Sequence, residues 1–249
     1  MTLRHIIKRS LLKAGSLWYR DDSSRVIYYH DLHDGSSHTP MSTPITLFFA
    51  HLTVAKAMGY TLTTDIQNPR KELEITFDDG FRGVYENFSF FEEHAIPARL
   101  FVVTDFIGTE GYVDAKELNE MVDTGLLAVG SHTKTHRNLD TMTEAEIKKE
   151  LKVSKDRLEE IIQRPIDTFC FPRGRFDERV LRIAREIGYT RLYSSLPGAY
   201  FDHFRPGVVY RSLVQHATAS EFADILKGGD RIYYRRFLSM HYRPKGEVR

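Results

Sequence analysis

Two neighbouring acidic residues have the type and spacing expected of a hydrolytic centre. Asp78 and Asp79 follow an apolar run that ends at Phe77, and they precede Gly80. Adjacent carboxylates repel each other and shift each other's pKa unless a cation lies beside them. A hydrolytic metal site gives them separate roles, because one carboxylate ligates the ion while the other stays free as a base. The alternative interpretation is an ordinary Asp-Asp-Gly turn in a loop.

A pair of histidines supplies a second group of the ligand type. His132 and His136 lie four residues apart in the segment SHTKTH. If this segment forms a helical turn, both imidazoles point the same way and can reach one ion. Two histidines and a carboxylate leave coordination positions open in catalytic zinc sites, whereas structural zinc sites usually have four protein ligands, often cysteines. Together with Asp-Asp-Gly, the pair favours a catalytic metal centre over an isolated surface pair of histidines.

The elements around these motifs predict an α/β domain in which the motifs meet. Short apolar runs and amphipathic helical patterns alternate from residue 25 onward. We predict strands over residues 25–29, 72–77, 99–103, 126–129, 168–171, 191–194 and 208–211, and helices over 45–58, 83–94, 114–124, 178–187 and 220–226. Both motifs, and the later segment Pro172–Gly174, directly follow predicted strands. In parallel α/β folds the carboxyl ends of the strands form the ligand-binding face, so these groups are expected to share one mouth.

One further helix is marked by its first residues. Thr143 and Glu146 have the spacing of a capping box, and apolar residues continue at helical spacing as far as Ile162. Glu150 and the two lysines before it are expected on the solvated face of this helix.

The composition excludes several classes of protein. The 35 Lys and Arg residues nearly balance the 34 Asp and Glu residues, so no nucleic-acid partner is expected, since such proteins usually carry a basic excess. The one cysteine, Cys170, excludes an internal disulfide framework. No apolar run approaches the roughly 18 residues that cross a bilayer, and basic residues interrupt the N-terminus where a signal peptide would be uncharged. We therefore expect a cytoplasmic protein with one large domain.

Residues 1–24 predict an amphipathic basic helix. Apolar residues recur at helical spacing from Leu3 to Trp18, with basic residues largely between them. Such a helix can lie on the inner membrane surface as a peripheral contact, or it can pack against the body of the domain. At the other end, residues 230–249 are basic and polar and are predicted to form a tail.

Three motifs in order along the chain resemble the polysaccharide deacetylase domain, also called carbohydrate esterase family 4 or the NodB-homology domain. These are TFDDG at Thr76–Gly80, HTKTH at His132–His136 and FPRGRFD at Phe171–Asp177. The resemblance covers residues 25 to 211. Within the family, the chain is similar to the subgroup of poly-N-acetylglucosamine deacetylases. The resemblance implies a distorted (β/α) barrel over residues 25–229. It also implies metal-dependent removal of an N-acetyl group from an amino sugar in a glycan, a lipid-linked or a nucleotide-linked saccharide.

The resemblance assigns roles to residues of this chain. Asp79, His132 and His136 would ligate one divalent metal, usually Zn²⁺. Asp78 would be the general base that activates the attacking water, and the backbone N–H of Arg173 would hold the oxyanion. The residues expected to contact the substrate are Gly80, Pro172, Gly174 and Arg211.

In one place the chain departs from the family pattern. Many members have an arginine shortly before the proline of the FPRG segment, where it supports the base, but this chain has Phe169-Cys170-Phe171. Arg211 or Arg173 could take over that role. Cys170 is expected to be a small buried thiol and not a fourth ligand.

Two histidines are candidates for the general acid, which must protonate the departing amine. His241 ends a segment similar to the family's late LxxH pattern. His30 follows the first predicted strand, and a Tyr-His strand in this position supplies the acid in the subgroup that the chain resembles. We therefore favour His30 and keep His241 as the alternative.

Two other functions fit the same resemblance. A sugar N-deformylase would use identical machinery, and formylated substrates would distinguish it. A catalytically inactive carbohydrate-binding domain would keep the fold, but it would have no use for a free carboxylate beside a metal ligand.

Overall fold

The computed structural model describes residues 3–202 and 204–243. In chain order its helices and strands are α1 (Leu3–Tyr19), β1 (Arg25–Tyr29), β2 (Asp31–His33), β3 (Ser42–Pro44), α2 (Ile45–Ala57), β4 (Thr61–Leu62), β5 (Glu72–Phe77), α3 (Gly83–Glu86), α4 (Phe88–Glu93), β6 (Ala98–Val102), α5 (Ala115–Asp123), β7 (Leu127–Ser131), α6 (Glu144–Ile162), β8 (Thr168–Cys170), β9 (Phe176–Asp177), α7 (Glu178–Ile187), β10 (Arg191–Tyr193), β11 (Val208–Val209), β12 (Ser212–Leu213), α8 (Ala219–Leu226), α9 (Tyr234–His241) and β13 (Tyr242–Arg243).

A parallel sheet of nine strands forms a curled half-barrel. Its order is β11-β10-β8-β7-β6-β5-β1-β12, with β4 also paired to β5. The two edge strands, β11 and β12, are separated in the chain only by Tyr210 and Arg211. So short a connection spans at most about 11 Å, and the sheet must therefore curl until its edges nearly meet. The distorted (β/α) barrel expected from the motifs is confirmed.

Alternation along the strands decides which side chains face the barrel interior. In β5, Leu73, Ile75 and Phe77 belong to the main core between sheet and helices. Glu74 points the opposite way and accepts a hydrogen bond from the Tyr193 hydroxyl at 2.9 Å. Because side chains of a strand alternate between its two faces, Thr76 and Asp78 follow Glu74 into the interior.

Most predicted elements are observed within one or two residues of their expected bounds, but two are interrupted. The predicted helix over residues 83–94 is split into α3 and α4 at Asn87, whose side-chain amide donates to the carbonyl of Gly83 at 2.8 Å. The predicted strand over residues 208–211 ends at Val209, because the chain there crosses from one edge of the sheet to the other. Strands of two or three residues, such as β2 and β9, carry no periodic signal and were not expected.

Helix α1 packs against the barrel through one face. Leu12 and Ser16 are buried, and the Ser16 hydroxyl donates to Asp224 of α8 at 2.8 Å. The other face is exposed and includes Trp18, whose surface is 84% accessible. Among the described helices, none is long and apolar enough to cross a membrane.

The segment predicted as a C-terminal tail is largely folded. The buried carboxylate of Asp230, in the 3₁₀ turn Gly229–Tyr233, accepts from Ser212 at 2.5 Å and lies 3.7 Å from Arg25. Helix α9 and strand β13 follow, and β13 pairs with β9. Residues 244–249 of that predicted tail, and residues 1–2 of the predicted N-terminal helix, lie outside the described residues.

Close backbone packing at Gly15 gives a test of how α1 is held. A Cβ atom at Gly15 would overlap the carbonyl oxygen of Gly229. Gly15→Ala should therefore lower the free energy of unfolding measured with urea, although alanine favours an isolated helix over glycine by about 1 kcal/mol. Ser10→Ala, an exposed position on the same helix, is the control and should be neutral or stabilising. A stabilised Gly15→Ala variant would contradict this packing.

Candidate active site

The two adjacent aspartates reach the same site because the backbone turns between them. Asp78 continues the alternation of β5 into the interior, and an extended Asp79 would point the opposite way. Asp79 instead has a left-handed φ of 73°, followed by Gly80 at 84°. The left-handed conformation reverses the expected direction, so both carboxylates end at the mouth of the barrel.

Three atoms of the kind that bind metals converge here, one from Asp79 and one from each of two histidines. The Nε2 atoms of His132 and His136 each lie 3.3 Å from Asp79 Oδ1. That oxygen is buried and makes no hydrogen bond within the described residues. Ligands about 2.0–2.1 Å from an ion at tetrahedral angles lie about 3.3–3.4 Å from each other. The three residues predicted as metal ligands therefore have the spacing and the unsatisfied oxygen that a divalent ion requires.

Both rings direct Nε2 towards Asp79. His132 Nδ1 lies 2.8 Å from the carbonyl oxygen of Cys170, which can only accept, so Nδ1 carries a proton. Burial lowers the pKa of His132, but Cys170 and Asp79 outweigh burial and raise it, so the Nε2 proton must leave before this ring can ligate an ion. Burial is the main cause that lowers the pKa of His136 to about 4. A neutral imidazole is the form that binds a metal.

The histidine loop is not the helical turn that the spacing predicted. Thr133 and His136 both have left-handed φ angles, 71° and 60°. The Thr133 hydroxyl accepts a hydrogen bond from the backbone N–H of His136 at 3.0 Å, which closes the loop. His132 and His136 do converge as predicted, but helical spacing is not the cause. The hydrogen bond from the His136 backbone to the Thr133 side chain brings the two rings together.

Glu150 was predicted to be solvated, and this is wrong. It is 7% exposed, and its carboxylate accepts from the backbone N–H and the hydroxyl of Thr135, both at 2.8 Å. Glu150 thus anchors the loop that carries both histidines. Its position three residues after Ile147 and four before the buried Ser154 places it on the buried stripe of α6, which is the signal that was missed.

A buried ion pair fixes the orientation of the Asp78 carboxylate. Arg211 donates from Nη1 and Nη2 to the two oxygens of Asp78, at 2.7 and 2.8 Å. Burial by itself raises the pKa of Asp78, but the Arg211 guanidinium outweighs burial and lowers it well below its usual range. Arg211 is 1% exposed and also bonds the carbonyl of Ser194, so its guanidinium supports Asp78, and its predicted contact with a substrate stays a prediction.

A second group of ligand atoms comprises Asp78, His132 and Cys170, and it fits an ion less well. Both oxygens of Asp78 already accept from Arg211, whose positive charge opposes a cation there. Burial raises the pKa of the Cys170 thiol, which lies 3.7 Å from the Asp78 oxygens. Cys170 is the small buried thiol that was expected.

The two candidate acids occupy different positions. Tyr29 pairs with Phe77 across β1 and β5, so His30 follows β1 as Asp78 follows β5. His30 Nδ1 lies 2.6 Å from Gln215 Oε1, an anchor that sequence reasoning missed. The His241 ring stacks on Phe237 with ring centroids 5.5 Å apart, and a Cβ at Gly174 would overlap its Nδ1.

The turn Pro172–Gly174 borders open space beside the ligands. Arg173 and Gly174 both have left-handed φ angles, 55° and 67°. Arg173, His136 and Asn138 line a cavity of about 450 Å³. Gly174 cannot carry a side chain, since a Cβ would lie 2.7 Å from Ser195 Oγ.

Backbone strain is concentrated at this site. Among the described residues eight non-glycine positions have positive φ angles, and half of them are Asp79, Thr133, His136 and Arg173. Each such conformation costs on the order of 1–3 kcal/mol and persists only where surrounding contacts impose it. The site is therefore held by its neighbours against local preference.

Comparison with known proteins places these features in a wider group. Residues 65–192, just over half of the chain, match the family model described as polysaccharide deacetylase. A relative from Bacillus subtilis (strain 168) is 26% identical over 185 residues, which are 70% of this chain and 65% of that protein. The poly-beta-1,6-N-acetyl-D-glucosamine N-deacetylase of Staphylococcus aureus (strain MRSA252) is 29% identical over 134 residues, 48% of this chain and 46% of that enzyme.

A solved structure is also similar. The crystal structure of a polysaccharide deacetylase from Bacillus cereus superposes with a TM-score of 0.73 at 26% identity, covering 82% of this chain and 69% of that one. The matched region spans between about half and two thirds of the length of the curated relatives.

The Asp78–Arg211 pair gives a stability test. Arg211→Gln leaves a buried carboxylate without its cation and should lower the free energy of unfolding in urea by about 3–5 kcal/mol. Asp78→Asn/Arg211→Gln removes both charges and should recover part of that loss. Arg205→Gln, which breaks the exposed pair with Glu178, is the control and should cost at most about 1 kcal/mol. A double variant no more stable than Arg211→Gln would show that the pair does not account for the loss.

Proposed function

Because this chain belongs to the polysaccharide deacetylase family, we propose that it is a metal-dependent hydrolase that removes the N-acetyl group of an amino sugar. The observation that carries the proposal is the convergence of His132 and His136 on one unsatisfied oxygen of Asp79. The Asp78 carboxylate follows Phe77 and precedes Asp79 in the chain, has an oxygen within 4.8 Å of a His132 ring nitrogen and is paired with Arg211.

Asp79, His132 and His136 would hold the ion, for which we propose Zn²⁺. A divalent ion there would acidify a water molecule and polarise the acyl carbonyl, which suits a neighbouring carboxylate that is a weak base. The lowered pKa of Asp78, which reflects Arg211 acting against burial, keeps that carboxylate ionised. Each carboxylate oxygen has a second lone pair beyond the one that Arg211 occupies, so Asp78 can still accept a proton.

Asp78 and His30 carry out the two proton transfers of the proposed reaction. Asp78 takes a proton from the attacking water while the water oxygen bonds to the acetamide carbon. The backbone N–H of Arg173 donates to the carbonyl oxygen as negative charge develops on it. The C–N bond then breaks, the amine nitrogen receives a proton from His30, and acetate and the free amino sugar are the products.

The choice of His30 as the acid rests on its surroundings. His30 and Asp78 each follow one residue of the register pair Tyr29–Phe77, so both side chains leave the same end of two adjacent strands. Gln215 Oε1 accepts from Nδ1 and leaves Nε2 to exchange the proton. His241 Nδ1 is instead turned against Gly174.

The proposed function is tested by acetate release from N-acetylated sugar nucleotides, lipid-linked sugars and chito-oligomers, each with and without chelator. Release from at least one substrate, lost with chelator and restored by added Zn²⁺, is expected. Formylated counterparts in the same panel test the deformylase alternative. Acetate release that a chelator does not affect would contradict the metal-dependent reaction.

Removing the base should separate turnover from metal binding. Asp78→Asn should bind one equivalent of Zn²⁺, measured by elemental analysis, while turnover falls by about 10²–10⁴-fold. Asp79→Asn is the matched control at the adjacent position, and it should lose the metal because it removes a charged ligand. Substantial turnover in Asp78→Asn would exclude it as the base.

Variants of the two histidines should identify the acid. His30→Ala should lower kcat by about 10²–10⁴-fold because the leaving amine loses its proton donor. Gln215→Ala should lower kcat less and leave KM nearly unchanged, since the ring keeps its chemistry but loses its anchor. His241→Ala should retain most activity, and the reverse order of the two histidine variants would assign the acid to His241.

A further inference from the structure

A cavity of about 450 Å³ lies between α1, α9 and the barrel, and it adjoins the catalytic residues. We call it the α1–α9 groove. Its lining includes Ser195, Arg211 and Gln215. Ser195 lies against Gly174, and the other two hold Asp78 and His30. A molecule in this groove would therefore lie next to the residues proposed to hydrolyse the acetamide.

Much of the groove is apolar and open to solvent. Its lining includes Ile7 and Leu11 of α1, Leu213 of β12 and Met240 of α9. These side chains are 51%, 39%, 45% and 51% exposed. Soluble proteins rarely expose a large contiguous apolar surface, and where they do, it usually marks a binding site. A free sugar or a sugar nucleotide has no group that would use it.

The groove also has cations available for an anion. Lys8 and Arg236 line it, and within residues 3–202 and 204–243 no carboxylate lies at ion-pair distance from either. The acidic lining residues are already engaged: Glu221 accepts the capping bonds of α8 from Thr218, and Asp230 accepts from Ser212. The positive charge is thus complementary to a phosphate group.

Helix α1 extends the apolar surface beyond the groove. Leu17, Trp18 and Tyr19 are 57%, 84% and 41% exposed, while the buried side of the same helix packs on the barrel. Exposed Trp and Tyr rings are suited to the boundary between lipid and water. This surface would hold the opening of the groove at a membrane surface, where a lipid-linked sugar is found.

We propose that the α1–α9 groove binds the hydrocarbon chain of the substrate, in which the N-acetylated sugar is joined through phosphate to a long-chain lipid. The inference rests on the proposed function for the sugar, and it adds the carrier. Ile7, Leu11 and Met240 contact the chain, Lys8 and Arg236 pair with the phosphate, and the acetamide lies at Asp78 and His30.

The first experiment compares two substrates that share one N-acetylated sugar phosphate, esterified with a long isoprenyl chain or with methanol. The long-chain substrate should have a kcat/KM at least about tenfold higher, because its chain is buried in the groove. Ile7→Glu and Leu11→Glu should abolish this preference and leave the methyl substrate unaffected. Val153→Glu, at a similarly exposed apolar position on α6, is the matched control and should keep the preference. Equal values for the two substrates in the unmodified protein would overturn the inference.

The second experiment does not depend on catalysis. Farnesyl phosphate, used below its micelle concentration, should bind the full chain saturably in calorimetry. Leu11→Glu should weaken binding by about tenfold or more, Arg236→Gln by about two- to fivefold, and Val153→Glu should leave it unchanged. Such binding without acetate release from any substrate would reject the proposed function and retain the groove. Absence of saturable binding would overturn the inference. It would do so even if the exposed face of α1 instead bound anionic vesicles or a second copy of the chain.

Discussion

The ion pair between Asp78 and Arg211 is the interaction on which the rest of the site depends. It joins the end of β5 to the short connection where the barrel closes, so the residue that completes the barrel also orients the proposed base. A buried pair of this kind gains little net stability, because both charges lose their water. Its value here is positional: a buried carboxylate stays ionised and keeps its place beside His132.

Much of the fold, and the meeting of Asp79 with the two histidines, could be predicted because the signals are local. Alternation in β5 and the turn residues after it identify a strand that ends in two carboxylates. Since parallel strands share one carboxyl edge, the histidines after β7 could be expected to face Asp79, as they do. The family motifs and the barrel followed from the same segments.

The remaining features depend on contacts that are distant in the sequence. Nothing near Gln215 announces that it bonds His30. The sequence left Arg211 and Arg173 as alternatives for the support of Asp78, and only the fold places Arg211, 133 residues away, against that carboxylate. The left-handed loop of the two histidines is imposed by Thr133 and by Glu150 on another helix. A pattern of apolar and polar residues assigns Glu150 to a face of its helix, but it does not say what covers that face.

The crossing from β11 to β12 has a consequence for how the chain is made. Because β12 is the partner of one side of β1, a nascent chain that has not yet reached residue 212 leaves that side of β1 without its neighbour. An unpaired, apolar strand edge is a template for association with other chains, and contacts between distant segments form slowly. Synthesis of this protein should therefore be most vulnerable to aggregation just before β12 leaves the ribosome, when most of the sheet exists but cannot yet close.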